Sequence, residues 1–309
     1  MAADALVYWT GRLLVGGIQA LPLWAVARLG RALGGLAWRL DARHRRNTLR
    51  NLRLVFGREQ TEPQLRRLGL EHFRRVGENF ACAIKTAAMS DEAIEAVLEV
   101  EGIERLRPGD PDLPPQRVMA IGHFGNFELY ARAARRRLPF QYAATYRALK
   151  SRGFDRLLQE LRSRSDCLFF ERNTEGGALR RAMKELPLMI GFLSDQHAGA
   201  RGLPVPFLGE VASTTPAPAV FAQRYRCPLH VAVCYRTGLA RWRIEISPAI
   251  PTETPAGEPR PALDIMAEVN RLFEEAVRRD PANWFWAHRR WRPGAHRPLA
   301  VPEVPSRLP

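Results

Sequence analysis

Lysine is nearly absent from this 309-residue chain: Lys85, Lys150 and Lys184 are the only three among 47 basic residues. Acidic residues are also few, 32 in all, which leaves a formal charge of +15. That balance disfavours cationic partners. It suits polyanions: nucleic acid, anionic headgroups, phosphorylated substrates or acidic carrier proteins. Cysteine is scarce, and Cys82, Cys167, Cys227 and Cys234 form no C-x-x-C pair and no zinc-like cluster. They read as free buried thiols of a reducing compartment. The chain has no G-x-S-x-G, no H-E-x-x-H, no P-loop and no dinucleotide glycine fingerprint. A serine hydrolase, zincin, P-loop NTPase or typical NAD enzyme is therefore unsupported.

Long hydrophobic runs are missing too. The first uncharged run, Leu13–Ala27, holds 15 residues, roughly 22 Å of helix against a hydrocarbon core about 30 Å thick. If Arg12 snorkels, Ala5–Ala27 is long enough to cross. The apolar stretch Leu29–Trp38 follows, then Arg39, Arg43, Arg45, Arg46, Arg50 and Arg53. An apolar segment with a basic flank predicts a membrane anchor at a cytoplasmic, anionic surface, with Trp9, Trp24 and Trp38 at its interface. Whether the first helix spans or lies flat stays open. No small-residue cleavage site follows a basic start, which argues against a secretory signal.

What is present is apolar material, 46% of residues, enough for a folded core. Residues 1–60 form the anchoring region in this reading, 61–292 the main α/β domain, and 293–309 a Pro-rich disordered tail. Helical spacing predicts a helix over 61–88 and a short one over 90–97. Strands are predicted at 98–103, 117–121, 140–145, 167–170 and 188–193, with helices at 126–137, 151–163 and 175–186 between them. A loop with four prolines fills Arg107–Gln116. A helix near 216–225, strands at 229–235 and 241–246, and a helix over 263–279 complete the pattern. Strand–helix alternation implies an α/β fold with a mostly parallel central sheet flanked by helices.

The sharpest local feature is Ile121-Gly122-His123-Phe124-Gly125-Asn126-Phe127-Glu128. A strand ends, a glycine-flanked histidine follows and a helix begins, the usual ligand position in such sheets. Asn126 suits a helix cap, and Glu128 in the first turn is expected to reach back to the imidazole. That gives a base and its orienting carboxylate. The alternative is a satisfied loop histidine beside a carboxylate favoured by the helix dipole.

Gly122–Glu128 resembles the His-x4-Asp/Glu motif of the lysophospholipid acyltransferase superfamily. Thr145-Tyr146-Arg147 is similar to its Tyr-Arg dipeptide. Ser194-Asp195-Gln196-His197, Gly202–Gly209 and Ala212-Ser213-Thr214 resemble its Asp-Gln, Val-x-Phe-Phe-Gly and Ala-x-Thr blocks. Trp284–Arg292 (WFWAHRRWR) is similar to the C-terminal signature of the late lauroyl/myristoyl acyltransferases of lipid A biosynthesis. The chain departs from that pattern at Phe127, at Leu208 and after Arg147, where Asn-Pro is common.

The resemblance implies O-acylation of a lipid A precursor hydroxyl from an acyl thioester, carried by acyl-carrier protein or coenzyme A. It implies a phosphorylated glycolipid acceptor, the cytoplasmic face of the bacterial inner membrane, and no metal or other cofactor. His123 is then the general base and Glu128 its orienter. Asn126, Arg147, Arg164, Asp195 and Gln196 are the candidates for substrate binding or the oxyanion. Two other readings compete: the same reaction on a phosphatidylinositol mannoside or glycerophospholipid, and a non-catalytic basic protein binding nucleic acid. The scattered cations and the absence of a recognition motif speak against the second, so nucleic acid is not an expected partner.

Overall fold

The computed structural model describes residues 2–107, 114–133 and 137–292. The predicted disordered tail and parts of the Pro-rich loop lie outside them. Seven strands form the main sheet: β1 (Leu98–Glu101), β2 (Arg117–Ile121), β3 (Gln141–Tyr146), β4 (Leu168–Glu171), β5 (Leu188–Leu193), β8 (Leu229–Gly238) and β9 (Arg241–Ile246). Their order is β1-β9-β8-β2-β5-β3-β4. Every pairing is parallel except β8 with β9. β2 is buried along its whole length, as expected of an apolar strand covered on both faces. The remaining two strands, β6 (Leu203–Phe207) and β7 (Glu210–Thr214), form a separate antiparallel hairpin. The sequence reading placed no strand here; the two-stranded ribbon accommodates Pro204 and Pro206.

Helices cover both faces. One core packs β2, β5 and β8 against α7 (Gly176–Glu185), α8 (Ala217–Tyr225), α9 (Ala262–Arg279) and the tryptophans near residue 290. The opposite core joins the sheet to α2 (Leu23–Leu40) and α4 (Glu62–Thr86). The 25-residue α4 starts at Thr61, whose N–H donates to Gln64 Oε1 at 2.7 Å in a capping box.

α2 crosses α4 at backbone contact. A Cβ on Gly34 would lie 2.1 Å from the Phe73 carbonyl oxygen, and one on Gly77 2.1 Å from the Gly30 carbonyl oxygen. Arg31 reinforces the crossing through Glu71 and Glu78, and Glu78, fully buried, also takes Arg236 and the Ala240 N–H. α1 (Ala2–Ala20) sits on α6 (Arg152–Arg162), and α3 (Ala42–Phe56) follows α2. No helix among the described residues is long and apolar enough to cross a membrane.

The predicted helix over 126–137 is a correction. Only a 3-10 turn, Phe127–Ala131, forms there, and Asn126 makes no side-chain cap bond. Residues 134–136 of that prediction lie outside the described set. Gly125 at φ +52° sets the chain direction before the turn, and a Cβ there would lie 2.5 Å from the Cys234 carbonyl oxygen. The backbone is thus pinned against β8 before a helix can begin.

Candidate active site

β2 and β5 pair in register, Ile121 beside Leu193. Two residues past the end of each strand the chain reaches His123 and Asp195. Two neighbouring parallel strands therefore deliver an imidazole and a carboxylate to one spot beyond the sheet's carboxyl edge. Asp195 Oδ1 lies 2.8 Å from His123 Nδ1, and its Oδ2 accepts the His123 N–H at 2.8 Å. Gly122 makes room, since a Cβ there would lie 2.6 Å from the Phe124 ring and 3.2 Å from the Asp195 carboxyl carbon.

Asp195 is 1% exposed. Burial alone would raise its pKa, but the His123 imidazole and N–H, together with the Trp284 indole N–H donating at 2.8 Å, hold it down to about 2. An ionised carboxylate on Nδ1 fixes the tautomer whose Nε2 carries a lone pair. Nε2 has no hydrogen-bond partner among the described residues. His123 lines a pocket whose walls also include Phe80, Asn126, Phe127, Glu128 and Phe285.

Glu128 does not orient His123. Its carboxylate is bound by Arg162, at 2.6 Å through Nη2 and 3.1 Å through Nε. The short 3-10 turn carries the side chain toward α6 rather than back to the imidazole, and Asp195 occupies Nδ1. Asn126 is buried beside the pocket. Its Nδ2 reaches only Thr86 Oγ1, at 3.5 Å, and its Oδ1 has no partner. Gln196 is half-buried, and its carbonyl accepts from Arg290 Nη1 at 2.9 Å.

The structure does not bring Arg147 or Arg164 to His123. Both are exposed, the first just past β3 and the second in the turn after α6. The arginine at the site is Arg162. Residues two apart at a helix end point to different sides, so the α6 pattern was the signal that distinguishes Arg162 from Arg164. Arg162 also stacks on Phe169, 5.0 Å from its ring centre.

The Trp284–Arg292 segment both packs into the core and reaches the site. Trp286 is fully buried, while Trp284 bonds Asp195. Arg290, also fully buried, donates to the carbonyls of Gln196 and Ser213 and to Thr214 Oγ1. It ties the segment to the β6–β7 hairpin, and burial lowers its pKa to about 10. His288 Nε2 accepts the His197 N–H at 3.0 Å. Among the described residues no cluster of His, Cys, Asp and Glu is arranged to hold a metal ion. All four cysteines are free and buried.

Two histidines are held as neutral rings, His72 fully buried and His288 half-buried. Desolvation lowers both His72 and His288 to about 4. Unfolding restores a value near 6.5, so the unfolded chain binds more protons between pH 6.5 and 4 and stability falls as pH falls through that window. For His72 the loss at pH 4.5 is about 2 kcal/mol. Urea denaturation at pH 7.5 and 4.5 checks this: the midpoint drops at the lower pH, and His72→Gln makes the drop shallower.

A family model for bacterial lipid A biosynthesis acyltransferases matches residues 2–293. The chain is 24% identical over 276 residues to the lipid A biosynthesis palmitoleoyltransferase of Escherichia coli K12, covering 88% of this chain and 86% of that protein. A Shigella flexneri lipid A biosynthesis acyltransferase matches to the same extent. The lauroyltransferase of E. coli K12 is 26% identical over 312 aligned positions, 95% of this chain and 93% of its own length. The chain belongs to the bacterial lipid A biosynthesis acyltransferase family and is an enzyme.

Proposed function

With that membership as premise, we propose that the chain moves a fatty acyl group from a thioester, on acyl-carrier protein or coenzyme A, to a hydroxyl of a lipid A precursor at the cytoplasmic face of the inner membrane. The observation that carries the mechanism is the free Nε2 of His123, whose Nδ1 is held by a buried, ionised Asp195. Nε2 takes the hydroxyl proton as the oxygen attacks the thioester carbonyl. The C–S bond then breaks, and the imidazolium returns its proton to the departing thiolate. Asp195 stabilises the imidazolium.

The first N–H groups of the Phe127 turn have no preceding turn to satisfy them and are assigned to the developing oxyanion. Glu128, ion-paired with Arg162 on the wall of the same pocket, positions the acceptor. Arg147 and Gln196, at neighbouring strand ends, are assigned to the acceptor's polar head, and Arg164 to the rim. Residues 1–60 serve as the membrane-associated part and 61–292 as the catalytic domain. The test offers purified enzyme an acyl thioester with either a lipid A precursor or a lyso-glycerophospholipid. Preferential acylation of the first is expected; preference for the second would move the chain to the competing acceptor class.

The acyl chain has a place to lie. An apolar slot opens between the sheet and the 3-10 turn, lined by Met119, Ile121, Tyr130, Ala144, Gly191 and Ile244 among others. Its wall is almost wholly apolar, and the Tyr130 hydroxyl is already bonded to the Ala232 carbonyl and the Cys234 N–H. Ile121 and Tyr130 flank the His123–Glu128 segment in the chain, and we assign this slot to the acyl group on that proximity. Ala144→Leu fills part of the slot, and competition between thioesters of different length is expected to shift toward the shorter chain.

A further inference from the structure

We infer that Asn51 is a positioning residue: from α3 it latches a strap, residues 283–290, that holds the His123–Asp195 pair in place. The inference rests on the reaction proposed above. It adds to that reaction a residue from the 1–60 region, outside the domain that supplies the rest of the site.

The strap grips both members of the pair. It runs antiparallel to the His123 segment, with Phe124 bridged to Trp284. The Phe285 N–H donates to the His123 carbonyl at 3.1 Å, and the Gly125 N–H donates to the Asn283 carbonyl at 3.2 Å. On the other side the Trp284 indole donates to Asp195 Oδ2 at 2.8 Å, and Arg290 donates to the Gln196 carbonyl at 2.9 Å. His288 accepts the His197 N–H at 3.0 Å. Past Asn283 the strap belongs to no helix or strand among the described residues. No ladder of its own therefore sets its position.

Asn51 supplies that constraint. Its Nδ2 donates to the Trp286 carbonyl at 2.9 Å and to the His288 carbonyl at 2.7 Å. A side-chain amide carries two N–H groups and can serve both. Asn51 is 3% exposed, on a helix whose other buried residues include Leu49, Leu52 and Phe56. Asparagine is poorly suited to a helix interior, and burying it is costly unless it is bonded. The two strap carbonyls meet that cost. Trp286 is fully buried, so its carbonyl has no solvent to turn to when the amide is removed. The Phe56 ring lies 5.8 Å from the Trp286 ring and seats α3 against the same residue.

Asn51 does not line the His123 pocket, so its effect on the base is transmitted. Without the amide the strap shifts, the Trp284 indole loses Asp195 Oδ2, and the carboxylate is no longer held square to Nδ1. The imidazole then spends time in orientations that miss the hydroxyl proton. Such a loss lowers kcat and leaves substrate binding alone. A role in packing only would lower the unfolding temperature and leave the kcat of the folded enzyme unchanged. Leu52 gives the reference for that case: it is fully buried one residue on, in the core that also holds Trp286.

The test compares the full-length wild type with Asn51→Ala and Leu52→Ala. Thermal unfolding, kcat and KM are measured, together with the NMR signal of the His123 Nδ1–H in protein carrying isotope-labelled histidine. That signal is assigned by its loss in His123→Ala. Asn51→Ala is expected to lower kcat about 10- to 10²-fold with KM for the thioester unchanged, and to shift or broaden the Nδ1–H signal. Leu52→Ala is expected to lose at least as much thermal stability while keeping kcat and the signal close to wild type. Asn51→Ser, which keeps a hydroxyl at the position, is read in the same way should Asn51→Ala not fold. Either readout unchanged in a folded Asn51 variant overturns the inference. So does an equal fall in kcat for Leu52→Ala, which would make the effect one of general packing. If wild type transfers no acyl group, the acyltransferase reading fails, and the Nδ1–H signal alone decides whether Asn51 positions the pair.

Discussion

Asp195→Asn is expected to lower kcat by about 10³–10⁴ while leaving the fold intact. The size of the effect follows from three hydrogen bonds. Asp195 Oδ2 accepts from both the His123 N–H and the Trp284 indole, each at 2.8 Å. An asparagine keeps those two only by turning its carbonyl oxygen toward them. Its amide nitrogen then faces His123 Nδ1, and it donates where the carboxylate accepted. The imidazole must answer with a lone pair on Nδ1 and a proton on Nε2, the tautomer that cannot take a proton from a hydroxyl. A loss of KM with normal kcat would contradict this, because orientation of the base is exercised in the chemical step. Circular dichroism of the variant separates lost chemistry from lost fold.

The second large effect concerns Glu128 and Arg162. Arg162→Ala frees a carboxylate on the pocket wall, and Glu128→Gln leaves the guanidinium unpaired there. Each is expected to lower kcat/KM about 10²-fold by misplacing the acceptor. The double variant is expected to fall little further, since the two side chains act as one unit. Additive losses in the kinetic cycle would mean that Glu128 acts on the reacting atoms by itself. Arg162→Lys is expected to recover only part of the activity, because an ammonium does not reproduce the two-bond fork.

The sheet was legible because its central strands are short, mostly apolar and bounded by turns: RVMAI at Arg117–Ile121 and LMIGFL at Leu188–Leu193 match β2 and β5 residue for residue. The 3-10 turn at Phe127 was not, since helix propensity over 126–137 is real and the tertiary pin at Gly125 against β8 overrides it. For the same reason the spacing of His123 and Glu128 suggested a helical reach-back that the backbone does not provide. Asp195 was a candidate for substrate binding or the oxyanion, but its partner depends on which strand lies beside β2, and pattern alone does not give strand order. Arg162 was hidden among 47 basic residues. Trp284 carried no polar signal in an aromatic cluster that is otherwise core.

The role of His123 is tested most directly by the mass of the acceptor after one incubation with an acyl thioester and a lipid A precursor. Wild-type enzyme is predicted to add one acyl group in place of one hydroxyl hydrogen, and His123→Ala, folded as wild type, to add none. Equal mass gain by the two enzymes, or none by wild type, would contradict the account.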